Sequence, residues 1–547
     1  MRSRAPRFHR GRVRNGAQCC LETATVVFLG RIWTRATHAR DDAGRASLSK
    51  GTLISQVSAS RAQDNRAPLA GKDFEPRVIA VHLLFIALVL GLPFGLAIAG
   101  PAFRDGDVSW QIAAGQWILS HAQIPHSDPF SYTVAGRSWV AMEWLSEIAY
   151  GAAFRVAGYG GVAAIVATAL IALHAIVFFY LKRRVSIFVL IGSIFILDLV
   201  LAPFVLARPH VLAWPLLAAW TTALLAASEE GRPPSLWWTL LLVLWTNAHA
   251  SFPLAIAMAG AIGFDSVVAA RWANVRAWLL FGVVSVAALM LNANGVAGLL
   301  QPFRTANLAM LPFIGEWHAS SPHATPCFFG VLLAGIGALL WLGVRIPLGR
   351  LVLLLVLLGL AFAHVRHQSS FIIVAALVVP PLFISRPTAA DVPKWLLFGA
   401  MPMLAYACLS GLTPPESAAN PRSLIAAIPA PLRAQHVFNE YTFGGPLILA
   451  GIKPYIDGRA EIYGDAFVAD YADIIGGDMA AFDRAVQRYD IRWAVLPNAS
   501  KALIRGLETS GQWRRIYADK IGVIEVRSVP RPTVEGAVPS GGAKPPR

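Results

Sequence analysis

Two aspartates one residue apart, Asp105-Gly106-Asp107, follow the first long apolar run of the chain. A carboxylate placed there can take a proton from a hydroxyl as a general base, and two so spaced can share a divalent cation such as Mg2+ or Mn2+. Asp105 and Asp107 are therefore the catalytic candidates. Further along, Arg208-Pro-His210, Asn247-Ala-His249, Pro302-Phe-Arg304, Glu316-Trp317-His318 and Arg366-His367 each sit near the end of an apolar run. Guanidinium groups pair bidentately with phosphate, and histidines can hydrogen-bond to phosphate or to hydroxyls. A tryptophan beside a carboxylate suits a sugar ring. Arg208, His210, His249, Arg304, Glu316, His318, Arg366 and His367 are accordingly the substrate-binding candidates. Each has a plainer reading. Asp107 can be an N-cap, the arginines can snorkel at helix ends, the histidines can be packing residues, and tryptophans are common at bilayer interfaces.

The elements that must position these residues are apolar. The chain has 547 residues, of which 56% are hydrophobic and only 14% charged, with a mean hydropathy of +0.55. Soluble domains carry about 25% charged residues. A bilayer span needs about 20 apolar residues, and 78–100, 160–181, 185–206, 211–228, 277–292, 326–344 and 395–411 qualify. The stretches 236–270 and 351–385 are too long for one crossing, since a single helix there would run about 52 Å. Each is expected to break in two, at Asn247-Ala-His249 and at His364-Val-Arg366-His367-Gln368. That gives about eleven transmembrane helices over 78–411. The segment 141–158 carries Glu143, Glu147 and Arg155 and is expected to lie at the interface.

Charge placement orients the array. The net charge of +16 does not point to nucleic acid, because residues 1–77 alone hold 15 Lys/Arg against 6 Asp/Glu, and no basic stripe interleaves with aromatics on a soluble fold. Those first 77 residues are expected to form a disordered basic tail. With that tail in the cytoplasm, the basic loops Lys182-Arg-Arg184, Arg232, 271–276, 345–350 and 386–394 fall on the cytoplasmic side, as the positive-inside rule requires. Every candidate named above then falls on the opposite face, and so does the segment after 411. A cell-membrane, multi-pass protein with an extracytoplasmic C-terminal domain is expected. The four cysteines, Cys19, Cys20, Cys327 and Cys408, make neither a CxxC pair nor a Cys/His ligand spacing, so neither a disulfide framework nor a zinc site is expected.

The outer loop 101–140 contains an amphipathic stretch in which Trp110, Ala114, Trp117 and Ile118 share a helical face, which suggests a helix in the headgroup region. From 412 to 530 the pattern changes to short soluble elements. Strands are expected at His436–Tyr441, Lys453–Asp457, Ile491–Leu496 and Ile521–Arg527, and helices at Asp465–Ile475, Met479–Tyr489 and Lys501–Glu508. This is a small α/β domain. Its most polar feature, Asp457-Gly-Arg459 followed by Glu461 and Tyr463, can be a structural turn or a lid over substrate. Residues 531–547, rich in Pro and Gly, are expected to be disordered.

These motifs taken together resemble the bacterial membrane glycosyltransferases of the GT-C superfamily. The resemblance covers roughly 78–530. It is carried by Asp105-Gly-Asp107, Asp128-Pro-Phe-Ser-Tyr-Thr133, Glu143-Trp-Leu-Ser-Glu147, Arg208-Pro-His210, Asn292-Ala-Asn-Gly295 with Pro302-Phe-Arg304, Glu316-Trp317, Asn439-Glu-Tyr-Thr-Phe-Gly-Gly445 and Asp457-Gly-Arg459. It implies a transferase, hexosyl or pentosyl in type, that moves a sugar from a polyprenyl-phosphate donor to a lipid, glycan or protein acceptor. It also implies a base or metal-ligand role for Asp105 or Asp107. In this chain Trp110-Gln111 stands where the superfamily usually has an aromatic-His pair. Two rival readings are a lipid flippase or transporter and a non-catalytic envelope scaffold. Against the first, no internal repeat is visible and the charged groups gather at one face instead of at mid-bilayer.

Overall fold

The computed structural model describes residues 76–99, 101–308, 311, 314–383, 387 and 391–528. The two tails expected to be disordered lie outside these residues, apart from 76 and 77. Among the described residues five helices are long and apolar enough to cross a membrane: Val78–Ile98, Trp144–Leu181, Ile187–Phe204, Pro209–Glu229 and Val365–Leu382. Six more apolar helices are shorter, 10–17 residues: Leu236–Ala248, Pro253–Ala269, Val275–Leu289, Pro326–Trp341, Leu348–Ala363 and Lys394–Leu409. Five of these eleven apolar helices reach spanning length by themselves.

The two long apolar stretches do break at their polar residues. His249 caps one helix in extended conformation (φ −163°, ψ 146°) before the next starts at Pro253, and His364 does the same (φ −143°, ψ 125°) after Leu348–Ala363. The helix Trp144–Leu181 is bent at Ala157 and Gly158. Gly158 takes φ +56° with ψ −144° there, a conformation closed to residues with a Cβ. The segment before the bend, which carries Glu147 and Arg155, and the apolar segment after it are thus two helices end to end.

Basic loops gather at one end of the bundle. Arg184 meets Glu229 at 2.7 Å, Lys182 meets Asp391 at 3.5 Å, and Asn274 Nδ2 donates to the Gly231 carbonyl. Within the bundle His174 Nε2 sits 2.8 Å from Asp198 Oδ1, joining Trp144–Leu181 to Ile187–Leu201.

At the other end sits a four-stranded sheet of order β1-β2-β4-β3, with β1 Val437–Asn439, β2 Trp493–Pro497, β3 Trp513–Ala518 and β4 Gly522–Arg527. β1 and β2 run parallel, and the other two pairings are antiparallel. The helices Asp465–Gly476 and Met479–Tyr489 fall in the crossover from β1 to β2. The expected strand at Lys453–Asp457 does not form. Pro454 has no N–H to give a ladder, and the Asn439 side chain takes up its neighbours instead, accepting from Tyr455 N at 2.7 Å and donating to the Ile456 carbonyl at 2.8 Å. β3 is an addition to the expected strands. It is a half-exposed edge carrying Arg514 and Arg515, so it lacks the apolar run that marks the buried strands.

The loop helix Asp107–His121 is not a surface helix in the headgroup region. Val108, Ser109, Gln111, Ile112, Ala114 and Ile118 are all buried, because neighbours cover several of its sides. Its Trp110, Ala113 and Ala114 share a core with Trp139 and with Phe438, Tyr455, Ile456 and Tyr463 of the C-terminal module. Against Trp144–Leu181 it approaches so closely that a Cβ on Gly115 would stand 1.8 Å from the Glu147 carbonyl oxygen. This wedge joins the membrane helices to the sheet.

Candidate functional site

Asp105 and Asp107 divide the work that sequence left open. The Asp105 carboxylate accepts from the Asp107 backbone N–H at 2.9 Å, and so satisfies a free donor at the helix start. Asp107, the first helical residue, turns its own carboxylate away from the backbone. Its Oδ2 lies 2.5 Å from Arg208 Nη2, and Asp105 pairs with the same nitrogen.

Arg208 precedes the helix Pro209–Glu229 in extended conformation (φ −126°, ψ 158°), with Pro209 fixing the first turn. Its carbonyl accepts from the Tyr150 hydroxyl at 2.9 Å. A cation at a helix N-terminus opposes the macrodipole, and three carboxylates offset that. Arg208 Nη1 reaches Glu316 Oε2 at 2.9 Å, and the other Glu316 oxygen stands 3.4 Å from Arg366 Nη1. Arg366 lies over the Trp317 ring, 4.7 Å from its centroid. The result is a chain of alternating charge, Asp105/Asp107–Arg208–Glu316–Arg366, built from four separate parts of the sequence.

Asp107, Arg208, Glu316 and Arg366 of this chain line a cavity of about 420 Å3 between membrane-helix ends and the C-terminal module. His210, His249 and His367 line it too. His210 Nε2 is 2.9 Å from the Phe204 carbonyl oxygen, and His249 Nε2 is 3.5 Å from Glu143 Oε1. Arg304 and His318 lie outside the cavity wall. Both are exposed, Arg304 on the helix Gly295–Ala306, and the His318 carbonyl accepts from Val365 N at 3.0 Å.

Several lining residues were not among the site candidates: Trp110, Gln111, Glu143, Glu147, Tyr441, Gly458 and Glu461. Glu143 and Glu147, one turn apart in an otherwise apolar stretch, carried a usable signal, because ionisable residues beside a bilayer are costly and usually functional. Among the residues contributed by the C-terminal module, Gly458 and Glu461 belong to the turn that could be read as a lid, and Tyr441 carried no signal, since only tertiary docking brings it in.

Electrostatics separate the carboxylates. Burial pushes Asp107 up to about 7, Arg208 works against this, and Asp105 and Glu316 add to it. Burial likewise raises Glu143 to about 7, opposed by Arg366, and raises Glu461. For Glu316 burial acts in the same direction, but Arg208 and Arg366 outweigh it and hold the group down at about 2. Glu316 is therefore a permanent anion, while Asp107 can exchange a proton near neutrality.

The Asp457-Gly-Arg459 turn is a buried structural lock. Arg459 pairs with Asp457 at 2.6 Å and with Asp128 of the first loop at 2.7 Å, all three side chains having no exposure. Tyr463 donates to Asp457 at 2.7 Å. The lock carries Gly458 directly onto Asp107. A second, larger cavity of about 860 Å3 lies between the first loop and the C-terminal module, lined by Arg137, Tyr455, Phe467 and Tyr489, and takes in none of the site candidates.

No family model matches the sequence, and no curated protein does. Among solved structures, the chain is similar to the archaeal oligosaccharyltransferase AglB from Archaeoglobus fulgidus in complex with an inhibitory peptide and a dolichol-phosphate, at 12% identity, 76% of this chain, 69% of that chain and a TM-score of 0.49. It is similar also to the Archaeoglobus fulgidus oligosaccharyltransferase tethered with an acceptor peptide containing the NVT sequon, at 10% identity, 82% and 74% of the two chains and a TM-score of 0.49.

Proposed function

We propose that this chain is a membrane glycosyltransferase that moves a sugar from a polyprenyl-phosphate donor to an acceptor hydroxyl or amide at the outer membrane face, with Asp107 as general base. The observation that carries the reading is the pairing of Asp107 with Arg208 inside a cavity between membrane helices and a folded C-terminal module. A carboxylate that titrates near 7 is matched to proton abstraction at neutral pH. A guanidinium beside it, with Arg366 one carboxylate further on, suits the phosphate of a lipid-linked donor.

In this reading the acceptor loses its proton to Asp107 as its oxygen or nitrogen bonds to the sugar C1. The bond from C1 to the phosphate oxygen breaks, and polyprenyl phosphate leaves with the electron pair. Arg208 and Arg366 take up the charge that stays on the leaving phosphate. Glu316, ionised throughout, holds both guanidiniums in place until the phosphate competes for them. The C-terminal module closes the cavity and limits water at the reacting carbon.

A divalent cation shared by Asp105 and Asp107 fits the arrangement poorly. Both carboxylates are engaged with Arg208, and among the described residues no three acidic, His or Cys side chains are placed to share an ion. No step is routed through a metal. The test is an assay of purified protein with radiolabelled polyprenyl-phosphate sugars, wild type beside the Asp105→Asn/Asp107→Asn double variant. Transfer by the wild type and its loss in a normally folded double variant is the expected result. Equal transfer by both removes the assignment.

A further inference from the structure

Besides Arg208 Nε, three polar atoms in the cavity wall have no hydrogen-bond partner among the described residues: Trp110 Nε1, Gln111 Oε1 and Glu147 Oε2. Their residues are 8%, 3% and 1% exposed. Buried polar atoms are nearly always paired, because leaving them unpaired is costly. Three in one wall point to a ligand that pairs them.

Their placement is specific. Gln111 follows Asp107 by one helical turn, a rise of about 6 Å, and Trp110 is its neighbour. A Cβ on Gly458 would stand 2.0 Å from Asp107 Oδ1 and 2.8 Å from Trp110 Nε1, so these two atoms face one point. Glu147 comes from the facing helix, where its backbone touches Gly115, one turn beyond Gln111. The set therefore runs along the loop helix from Asp107 to the contact of that helix with Glu147.

The chemistry of the set is mixed, with one N–H donor and two oxygen acceptors. A phosphate or carboxylate could serve only Trp110, and an ammonium group only Gln111 and Glu147. Hydroxyls both give and accept, so neighbouring hydroxyls on one ring can serve all three. Resting on the transferase reading above, we infer that Trp110, Gln111 and Glu147 form the subsite for the sugar ring of the lipid-linked donor, a neutral polyhydroxylated pyranose or furanose. One ring oxygen accepts from Trp110, and two hydroxyls donate to Gln111 and Glu147. The donor ring fits this wall better than an acceptor ring does. The wall is built on the buried side of the loop helix and the first turn of a membrane helix, where a ring carried on a phosphate at Arg208 reaches it.

The test measures binding of polyprenyl-phosphate glucose, mannose and galactose, with bare polyprenyl phosphate alongside. The proteins are the wild type, Trp110→Phe and Gln111→Leu, each close to its parent in shape. At least one sugar-bearing lipid is expected to bind the wild type about tenfold more tightly than the bare lipid. Each variant is expected to lose most of that advantage while holding the bare lipid as the wild type does, which also reports that it is folded. Equal wild-type binding of sugar-bearing and bare lipids overturns the subsite and leaves the transferase reading standing, as does a variant that weakens both lipids alike. Wild type that binds neither lipid overturns the transferase reading, and the subsite with it.

Discussion

Gly458 of the C-terminal module lies against Asp107 of the first loop, so close that a Cβ on the glycine would stand 2.0 Å from the carboxylate oxygen. The two residues are 351 positions apart in the sequence. Their contact makes the C-terminal module part of the cavity wall around Asp107. Gly458→Ala is expected to push Asp107 off Arg208 and cost about 1–3 kcal/mol through overpacking. A thermal melt reads the stability, and a transfer assay should show a fall in kcat larger than any change in donor KM. Full activity in the alanine variant would mean that the module does not bear on Asp107.

Arg459 is the pin that holds this contact. It is fully buried between Asp457 and Asp128, so removing it leaves two carboxylates uncompensated. Arg459→Met is expected to lower stability by about 3–5 kcal/mol and to free the C-terminal module for proteolysis at lower protease concentration. An unaltered melting temperature and digestion pattern would contradict the lock.

The roles of the two cavity arginines separate. Arg208 is bound to three carboxylates and positions Asp107, whereas Arg366 touches only Glu316 among them. Arg366→Ala is expected to raise donor KM about tenfold, the loss of one charge-assisted hydrogen bond, with a smaller effect on kcat. Arg208→Lys cannot reproduce the fork geometry and is expected to depress kcat more than KM. Steady-state kinetics at varied donor concentration decide it, and the reverse pattern would exchange the two assignments.

The pair of His174 and Asp198 lies within the bundle, away from the cavity. Replacing either partner alone by leucine strands the other polar group in an apolar setting, at about 1–3 kcal/mol. Replacing both is expected to recover much of that loss. Melting curves of the two single variants and the double variant in detergent measure the coupling. Additive losses would show that the two groups do not act together.

Much of this arrangement was legible because membrane proteins separate their residues sharply by type. Apolar runs marked the helices, and the polar interruptions at Asn247–His249 and His364–Gln368 marked where they break. Alternation of basic loops then sent Asp107, Arg208, Glu316 and Arg366 to one end, where the structure brings them into contact. What sequence could not show depends on docking. The count of spans is met by length in only five cases, because six of the apolar runs fold as helices of 10–17 residues among the described residues. The loop helix looked like a membrane-surface element because Trp110, Ala114, Trp117 and Ile118 share a face, but the helix Trp144–Leu181 and the C-terminal module together bury it. Gly458 and Glu461 were legible only as a turn that could be structural or a lid, and Tyr441 gave no sign of belonging to the cavity, since an ordinary turn and an ordinary site wall use the same residue types. The strand expected at Lys453–Asp457 failed for a local reason, the side chain of Asn439 standing in for a neighbouring strand.

The assignment of Asp107 as base is tested most directly by the pH dependence of kcat/KM, wild type beside Asp107→Asn. Because burial holds the Asp107 pKa up at about 7, the carboxylate is protonated below that pH and available above it. Wild-type kcat/KM should rise with pH and level off above about 7. The asparagine variant, which cannot accept the proton, should lose about 100-fold or more and show no rise. A variant that keeps the wild-type rate, or the same rising limb, would contradict the account.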